Sequence, residues 1–250
     1  MTRRVVIAAL LLSAAAPAAC KAKRGSPPAS TAHVPILLFV GSGTSRNDVR
    51  ALEDVLESSH FSYSEADSSD LNAMSVSQLE AYRLLIVPGG NFETMGKSLS
   101  PATVAKIRDA VHGGSSYLGI CGGAFLAGAI DHGLNLTSGV RFHFYVAEKQ
   151  GIRKAMVTIA APGTPPLDQY WEDGPELTGW GTVVGKYPDG TPAVVEGSSG
   201  TGWVVLSGVH PEAPESWRHG MAFRTPARVD HAYAATLVRA ALDRTSLAHD

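Results

Sequence analysis

One stretch in the middle of the chain constrains the fold more than any other. An apolar segment, Tyr117 to Ile120, runs without a linker into Ala- and Leu-rich sequence of helical character that reaches Ala127. Between them, residues 119–123 read Gly-Ile-Cys-Gly-Gly, which fits the Gly-x-nucleophile-x-Gly pattern of a sharp strand-to-helix turn. Glycine on either side lets the strand and helix backbones approach closely. The pattern predicts that Cys121 is an exposed nucleophile; the alternative is a buried cysteine in a packing turn.

The sequence before this turn alternates between apolar runs and helical segments. Continuous apolar runs of strand length are typical of strands that are buried on both faces of a parallel sheet. The pattern therefore predicts a doubly wound, mostly parallel α/β sheet of the flavodoxin-like kind, with the site at the carboxyl ends of the strands. The predicted elements are strands over Pro35–Val40, Phe61–Ala66 and Leu84–Val87, and helices from a Ser45 or Asn47 cap to Ser58, over Leu71–Tyr82, and from Ser100-Pro101 to about Gly113.

After Gly133 the pattern changes to short alternating segments separated by Gly and Pro, which predicts added antiparallel strands. An amphipathic helix over Asp230–Arg244 is expected to close the domain. The expected strands are Val140–Val146, Ala155–Ile159, Thr182–Tyr187, Pro192–Glu196 and Gly202–Ser207, the last two forming a hairpin across residues 197–200.

The N-terminus has the composition of a targeting segment. Two arginines precede the apolar run Val5–Leu12 and a small-residue region that ends at Ala19, so residues 1–19 are predicted to be a signal peptide. The next residue, Cys20, resembles the lipidated cysteine of bacterial lipoproteins, although Pro17 stands where that motif usually has Leu. We therefore expect export and a lipid anchor at Cys20 on the outer face of a bacterial membrane. The alternative is a secreted or periplasmic protein without an anchor.

Residues 20–33 are rich in Pro, Ser and basic residues and are predicted to form a flexible tether. One domain is expected over residues 34–245. The formal net charge is −2 and no basic run follows the N-terminus, which argues against a nucleic-acid surface. Of the two cysteines, Cys20 lies in the processing region, so no disulfide is expected. No cluster has metal-ligand spacing, and neither a metal nor a cofactor is predicted. The sequence leaves the oligomeric state open.

A second group of candidate site residues lies late in the chain. The apolar run that begins at Trp203 ends in His210-Pro-Glu212. Two residues apart on extended backbone, the imidazole and the carboxylate point to the same face, so Glu212 can orient His210 toward a nucleophile. The alternative bases are His143, His219 and His231, and none has a carboxylate at so useful a spacing.

Glycines next to the predicted strands are candidates for an oxyanion hole. Gly89 and Gly90 follow the strand Leu84–Val87, and Gly122 follows the candidate nucleophile. Their backbone N–H groups can face a developing negative charge beside Cys121. The alternative is that Gly89 and Gly90 only form a turn.

These motifs resemble the class I glutamine amidotransferase-like superfamily, in which a Cys on such a turn and a His-x-Glu from a late strand form a catalytic triad. The resemblance is nearest to the domain found at the N-terminus of fungal-type biotin–protein ligases and as stand-alone bacterial proteins, and it extends from about Pro35 to Ala240. The segments that carry it are Val87–Asn91, Met95-Gly96, Tyr117–Ala127, Tyr170–Pro175, Tyr187 with Asp189-Gly190 and Pro192-Ala193, and Leu206–Glu212.

The resemblance implies a Cys121–His210–Glu212 hydrolase that acts on an amide or related acyl group in a small molecule or peptide. Glutaminases of the superfamily have a glutamine at the position where this chain has Phe125, so we do not expect glutamine to be the substrate. The alternative function is a non-catalytic module of the same fold that binds a small ligand.

Overall fold

The computed structural model describes residues 34–163 and 165–249. The predicted signal peptide, the tether and Cys20 lie outside the described residues. Within the described residues, no helix combines the length and apolar character needed to cross a membrane.

A seven-stranded sheet forms the centre of the domain, with strand order β2-β1-β3-β4-β11-β10-β9. The first five strands in this order are parallel, and β10 is antiparallel to both of its neighbours. This arrangement confirms the predicted doubly wound, mostly parallel sheet. The strands of this sheet are β1 Ile36–Phe39, β2 Tyr63–Ala66, β3 Leu84–Val87, β4 Ser116–Ile120, β9 Thr182–Lys186, β10 Pro192–Ser199 and β11 Gly202–Ser207.

Helices cover both faces of the sheet because alternate side chains of each buried strand point to opposite faces. Helices α1 and α8 pack on the face that includes Leu38 and Leu118, and α2 to α6 pack on the face that includes Leu37 and Tyr117. The helices are α1 Arg46–Ser58, α2 Ser68–Ala73, α3 Val76–Glu80, α4 Phe92–Ser98, α5 Pro101–His112, α6 Gly122–Ala127, α7 Val146–Lys149 and α8 Ala227–Asp243.

Two small antiparallel ribbons lie between β4 and β9 in the sequence. Strand β5 (His143–Phe144) pairs with β8 (Pro175–Glu176), and β6 (Lys154–Ile159) pairs with β7 (Leu167–Glu172). A single turn of 3-10 helix, Glu215–Arg218, follows the end of β11. These ribbons confirm the prediction that antiparallel strands are added in the second half of the chain.

Three local predictions are wrong. The helix expected over Leu71–Tyr82 is broken into α2 and α3, because Ser75 and Gln78 form a capping box that starts a new helix. The strand expected over Val140–Val146 is reduced to β5. The hairpin between β10 and β11 exists, but residues 197–199 extend the strand, and the turn lies at Gly200-Thr201.

Candidate active site

The turn at Cys121 has the strained backbone that the sequence pattern predicts. Cys121 has φ 49° and ψ −105°, a conformation that side chains other than glycine rarely adopt. A Cβ atom on Gly123 would lie 2.1 Å from the carbonyl oxygen of Val87, and one on Gly119 would lie 2.6 Å from that of Gly123. Glycine at both positions therefore allows α6 to begin directly against β3 and β4.

The sulfur of Cys121 faces a cavity of about 700 Å³ but is nearly buried, with 6% of the residue exposed. Its thiol donates a hydrogen bond of 3.3 Å to the carbonyl oxygen of Glu172 at the end of β7. The expectation of a solvent-exposed nucleophile is therefore wrong, because the end of β7 lies against the sulfur and Cys121 is nearly buried. The residue still lines the cavity, which is the route by which a substrate reaches it.

Strand β11 brings His210 to the same cavity. Strand β11 is parallel to β4, with Ser207 opposite Ile120, so both strands end at the same edge of the sheet. The N–H of Cys121 donates to the carbonyl oxygen of Ser207 at 2.8 Å. Three residues later, the N–H of His210 donates to the carbonyl oxygen of Tyr170 at 2.8 Å, and this bond fixes the chain beyond the strand end.

Glu212 holds the ring of His210. Nδ1 of His210 lies 2.9 Å from Oε1 of Glu212, and both side chains are buried. Nε2 of His210 has no hydrogen-bond partner within the described residues. Tyr170 and Trp217 contact the ring edgewise, with centroids 5.8 and 5.9 Å from its own. The imidazole is thus fixed at Nδ1 and unpaired at Nε2, on the rim of the cavity that Cys121 lines.

A second carboxylate, which the sequence analysis missed, approaches the same ring nitrogen. Oδ1 of Asp48 in the first turn of α1 lies 3.1 Å from Nδ1 of His210, and Asp48 is buried. A Cβ on Gly89 would lie 2.1 Å from this oxygen and 2.8 Å from Cε1 of His210. An acidic residue near a helix start usually interacts only with the helix dipole, so nothing in the sequence distinguished Asp48.

The charges around His210 shift its pKa upward. Burial by itself lowers the pKa of this imidazole, but Cys121, Glu212 and Asp48 outweigh it and hold the pKa well above its ordinary value. Burial raises the pKa of Glu212, and His210 offsets part of that rise. For Asp48 the balance is reversed: burial raises the pKa, yet His210 and Ser45 bring it below the ordinary value.

Two of the three candidate oxyanion glycines line the cavity, namely Gly90 and Gly122. Gly122 is the first residue of α6, where a backbone N–H has no acceptor in a preceding turn. The N–H groups of Gly89 and Gly90 donate no hydrogen bond within residues 34–163 and 165–249. Gly89 packs instead against Asp48 and His210, so the geometry favours Gly90 over Gly89 as a donor.

The other histidines occupy different surroundings. His219 lies exposed on the cavity rim, and His143 is exposed in β5. Nε2 of His231 lies 3.2 Å from the carbonyl oxygen of Ala213. Among residues 34–163 and 165–249, none of these three rings has the buried carboxylate contact that His210 makes.

Among the described residues, one group of side chains has the spacing of a metal site. Nδ1 of His210 and carboxylate oxygens of Asp48 and Glu212 lie within 4.8 Å of one another. Nδ1 already forms its hydrogen bond with Glu212, so a metal ion at this point would have to displace that proton. The bond to Glu212 accounts for Nδ1, whereas Oδ1 of Asp48 and Oε2 of Glu212 have no hydrogen-bond partner within the described residues.

Comparison with known proteins confirms the predicted resemblance. Residues 34–134 match the family model described as "Biotin-protein ligase, N terminal". No curated protein matches the chain.

Solved structures share the fold at low sequence identity. A glutamine amidotransferase is 20% identical with a TM-score of 0.57, over 81% of this chain and 98% of the other. PurLQS from Thermotoga maritima is 17% identical with a TM-score of 0.55, over 80% of this chain and 96% of the other. Gan42B, a GH42 β-galactosidase, is 13% identical with a TM-score of 0.52, over 86% of this chain and 30% of that longer one. At these identities the similarity shows the fold alone: a glutamine amidotransferase-like α/β domain.

Proposed function

We propose that this chain, whose residues 34–134 match the biotin-protein ligase N-terminal family on a glutamine amidotransferase-like fold, is a cysteine hydrolase that cleaves an amide or related acyl bond. The observation that carries the proposal is the 2.9 Å contact between Nδ1 of His210 and Glu212, with Cys121 across the same cavity. A buried, oriented imidazole beside a cysteine on a strained turn is the arrangement that nucleophilic acyl transfer requires.

In the first half of the reaction, Sγ of Cys121 attacks the carbonyl carbon of the substrate, and a C–S bond forms. The electron pair of the carbonyl moves to its oxygen, which the N–H groups of Gly122 and Gly90 stabilise. The proton of the thiol passes to Nε2 of His210. When the tetrahedral intermediate collapses, the C–N bond breaks and His210 gives this proton to the leaving nitrogen.

In the second half, water hydrolyses the thioester that remains on Cys121. His210 accepts a proton from the attacking water at Nε2, the C–S bond breaks, and the proton returns to the sulfur as the carboxylic acid leaves. Glu212 remains ionised and keeps the Nδ1 proton of the ring in place through both halves. The reaction consumes one water for each amide bond cleaved.

One observation favours the second candidate function, a non-catalytic ligand-binding module. Sγ of Cys121 donates its hydrogen bond to the carbonyl of Glu172, and Nε2 of His210 is unpaired. A catalytic cysteine must rotate from that carbonyl toward His210, whereas a binding module needs no such movement.

The test is hydrolysis of a panel of small amides, esters and peptides by the purified domain, compared with Cys121→Ala. We expect turnover of at least one panel member that is lost in Cys121→Ala and in His210→Ala. A Gly113→Ala variant outside the site serves as the matched control for handling and folding. Equal product release by the wild type and Cys121→Ala, together with saturable ligand binding, would favour the binding module.

A further inference from the structure

Three phenylalanine rings form a continuous apolar surface beside the sulfur. The rings of Phe92 and Phe125 stack with centroids 4.5 Å apart, and Phe125 contacts Phe144 at 4.8 Å. Phe125 is buried, Phe92 and Phe144 are half-buried, and all three line the cavity. We call these three residues the aromatic wall.

The aromatic wall is tied to the candidate oxyanion donors by the chain itself. Phe92 follows Gly90 by two residues, and Phe125 follows Gly122 by three. A carbonyl oxygen held between the N–H groups of Gly90 and Gly122 therefore lies between the two segments that carry these rings. The aromatic wall is therefore a neighbour of the carbonyl site and available to contact the acyl side of a substrate.

The leaving group has other aromatic neighbours. The leaving nitrogen has to reach Nε2 of His210, since this ring supplies its proton. His210 is flanked by Tyr170 and Trp217, whose rings are 5.4 Å apart. The cavity thus has one aromatic group beside His210 and a second, the aromatic wall, whose Phe125 belongs to helix α6 and follows the strand-to-helix turn at Cys121, which we call the elbow.

We propose that the aromatic wall is the acyl-side-chain subsite and that it accepts an aromatic or bulky aliphatic group in preference to a carboxamide; this inference rests on the proposed acyl-transfer function. Phenyl rings supply contact area but no hydrogen bond, so a carboxamide placed there loses its bonds to water without replacement. A phenyl group gains offset-stacked or edgewise contacts with the half-buried rings. A cavity of about 700 Å³ accommodates a substrate of this size.

The first arm of the test does not depend on turnover. Three chloromethyl ketones alkylate Cys121 by displacement of chloride: chloroacetone, 1-chloro-3-phenylpropan-2-one, and 5-chloro-4-oxopentanamide, which carries a carboxamide. We expect the phenyl reagent to react at least about tenfold faster than the carboxamide reagent after correction for their rates with free cysteine, since a few apolar contacts discriminate by this order. Phe92→Ala and Phe144→Ala should each reduce this ratio, and Phe61→Ala, a half-buried phenylalanine outside the cavity, should not.

The second arm measures hydrolysis of phenylacetyl and acetyl p-nitroanilides by the same proteins. A persistent phenyl preference in alkylation without hydrolysis of either anilide would uphold the subsite and contradict the proposed hydrolase. Hydrolysis of the anilides together with equal corrected alkylation rates for the three ketones would support the proposed hydrolase and contradict the subsite. Ratios that stay unchanged in both Phe92→Ala and Phe144→Ala would overturn the subsite.

A separate observation concerns Asp48. The one proton of Nδ1 is hydrogen-bonded to Oε1 of Glu212 at 2.9 Å, and Oδ1 of Asp48 lies 3.1 Å from the same nitrogen, buried and with no hydrogen-bond partner within the described residues. A single orienting carboxylate satisfies that proton, so the second is in excess of what orientation requires. Two buried carboxylates against one imidazole balance their charge best when the ring is an imidazolium.

We propose that Asp48 is a second positioning residue, which acts through His210 by stabilising the imidazolium that forms when Nε2 accepts the proton of Cys121. The charged and titratable groups that face His210 are Asp48 from α1, Glu212 on its own segment, Cys121 from the elbow and Tyr170 from β7. Substitution of Asp48 leaves the nucleophile, the base and the orienting Glu212 unchanged.

The experiment is an NMR titration of His210 in the intact protein, with the ring signals assigned by their loss in His210→Ala. The wild-type midpoint is expected above the ordinary histidine value of about 6.5. Asp48→Asn should lower it by about one unit or more, and Asp54→Asn, an exposed acid on the same helix, should leave it unchanged. An unchanged midpoint in Asp48→Asn overturns the proposal. Should Asp48→Asn fail to fold, a wild-type midpoint at or below the ordinary value overturns it equally.

Discussion

The thiol of Cys121 donates its hydrogen bond to the backbone carbonyl of Glu172, at a distance of 3.3 Å. The thiol has one proton, and the proposed reaction delivers that proton to His210, so this contact must break before Cys121 attacks a substrate. The reactivity of Cys121 therefore depends on the balance between these two neighbours, and mutation can separate their effects.

The first prediction concerns the contribution of His210 and Glu212 to that balance. We expect His210→Ala to slow alkylation of Cys121 by iodoacetamide about tenfold near neutral pH, because it removes the base that takes the proton of the thiol. Glu212→Gln should slow it less, since the base remains and only its orientation and charge support are lost. The measurement is the alkylation rate as a function of pH, with circular dichroism to establish folding. Superimposable curves for the three proteins would remove His210 and Glu212 from the site.

The second prediction concerns glutamine. Phe125 lies one helical turn after Cys121 and stacks with Phe92, so no amide group is available there to bind the carboxamide of a glutamine side chain. We expect the purified wild type to release no appreciable ammonia from glutamine in a coupled glutamate assay. Robust glutamine hydrolysis that disappears in Cys121→Ala would show that another part of the cavity recognises glutamine.

The third prediction tests the elbow as a packing unit. A methyl group on Gly123 would meet the carbonyl oxygen of Val87 at 2.1 Å, and a backbone atom cannot rotate away as a side chain does. We expect Gly123→Ala to lower the free energy of unfolding by about 2–4 kcal/mol. Gly113→Ala is the matched control: its φ of −77° suits any residue, and its nearest neighbour is 3.1 Å away. Its unfolding free energy should stay within about 1 kcal/mol of the wild type. Equal denaturation midpoints for the two variants would contradict the prediction that close packing requires glycine at position 123.

The fourth prediction concerns the pH dependence of stability. Hydrogen bonds from Arg224 and Thr158 hold the pKa of Asp168 well below its usual range, although burial acts in the opposite direction. A depressed pKa contributes stability above the unfolded-state pKa, and this contribution is lost as the pH falls through the folded-state value. Arg224 is largely exposed, so we expect Asp168→Asn to cost about 1–3 kcal/mol near neutral pH.

The cost of Asp168→Asn should shrink as the pH is lowered from about 4 toward 2, because the carboxyl of the unfolded chain becomes protonated in this range while that of the folded protein stays ionised. Urea denaturation at a series of pH values measures it. Glu93→Gln, in an exposed ion pair with Lys97, is the control and should change the unfolding free energy by about 0.5 kcal/mol or less. A cost for Asp168→Asn that is constant with pH would mean that the lost contacts are not ionic.

The fifth prediction concerns anchoring. If Cys20 carries a lipid after cleavage of the signal peptide, the expressed protein should fractionate with membranes, and Cys20→Ser should release it or block its processing. A multiply acylated cysteine holds a protein stably at a membrane, whereas one chain holds it only marginally. The measurement is membrane fractionation with mass spectrometry of the mature N-terminus. A wholly soluble wild type with an N-terminus before Cys20 would support simple secretion.

Much of the first half of the fold follows from short-range patterns. The apolar runs at β1, β3 and β4 are buried on both faces, and the caps Ser45 and Ser100 begin α1 and α5 as predicted. These features depend on residues that are close in sequence, and hydrophobic period and capping chemistry describe such residues well. The same is true of Cys121, whose strained backbone is prepared by its neighbouring glycines, and of the His210–Glu212 pair.

Patterns of the same kind failed where a longer-range contact decided the outcome. Val140–Val146 alternates like a strand, yet only His143 and Phe144 find a partner, in β8. Tyr145 instead stacks on Tyr187 with centroids 3.9 Å apart, and a helical turn follows it. A strand needs a neighbour to pair with, and no local pattern specifies that neighbour.

The tertiary structure alone brought the parts of the site together and added residues that the sequence had not distinguished. The parallel pairing of β4 with β11 places Cys121 and His210 at one edge of the sheet, and the order of the strands brings the start of α1, with Asp48, to the same edge. An acid in the first turn of a helix is ordinary in sequence, because its role depends on a residue that only the folded chain places beside it. The role of the Glu172 carbonyl could not be predicted from the sequence for a further reason. Every residue has a backbone carbonyl, and only the position of this one next to the sulfur of Cys121 makes it part of the site.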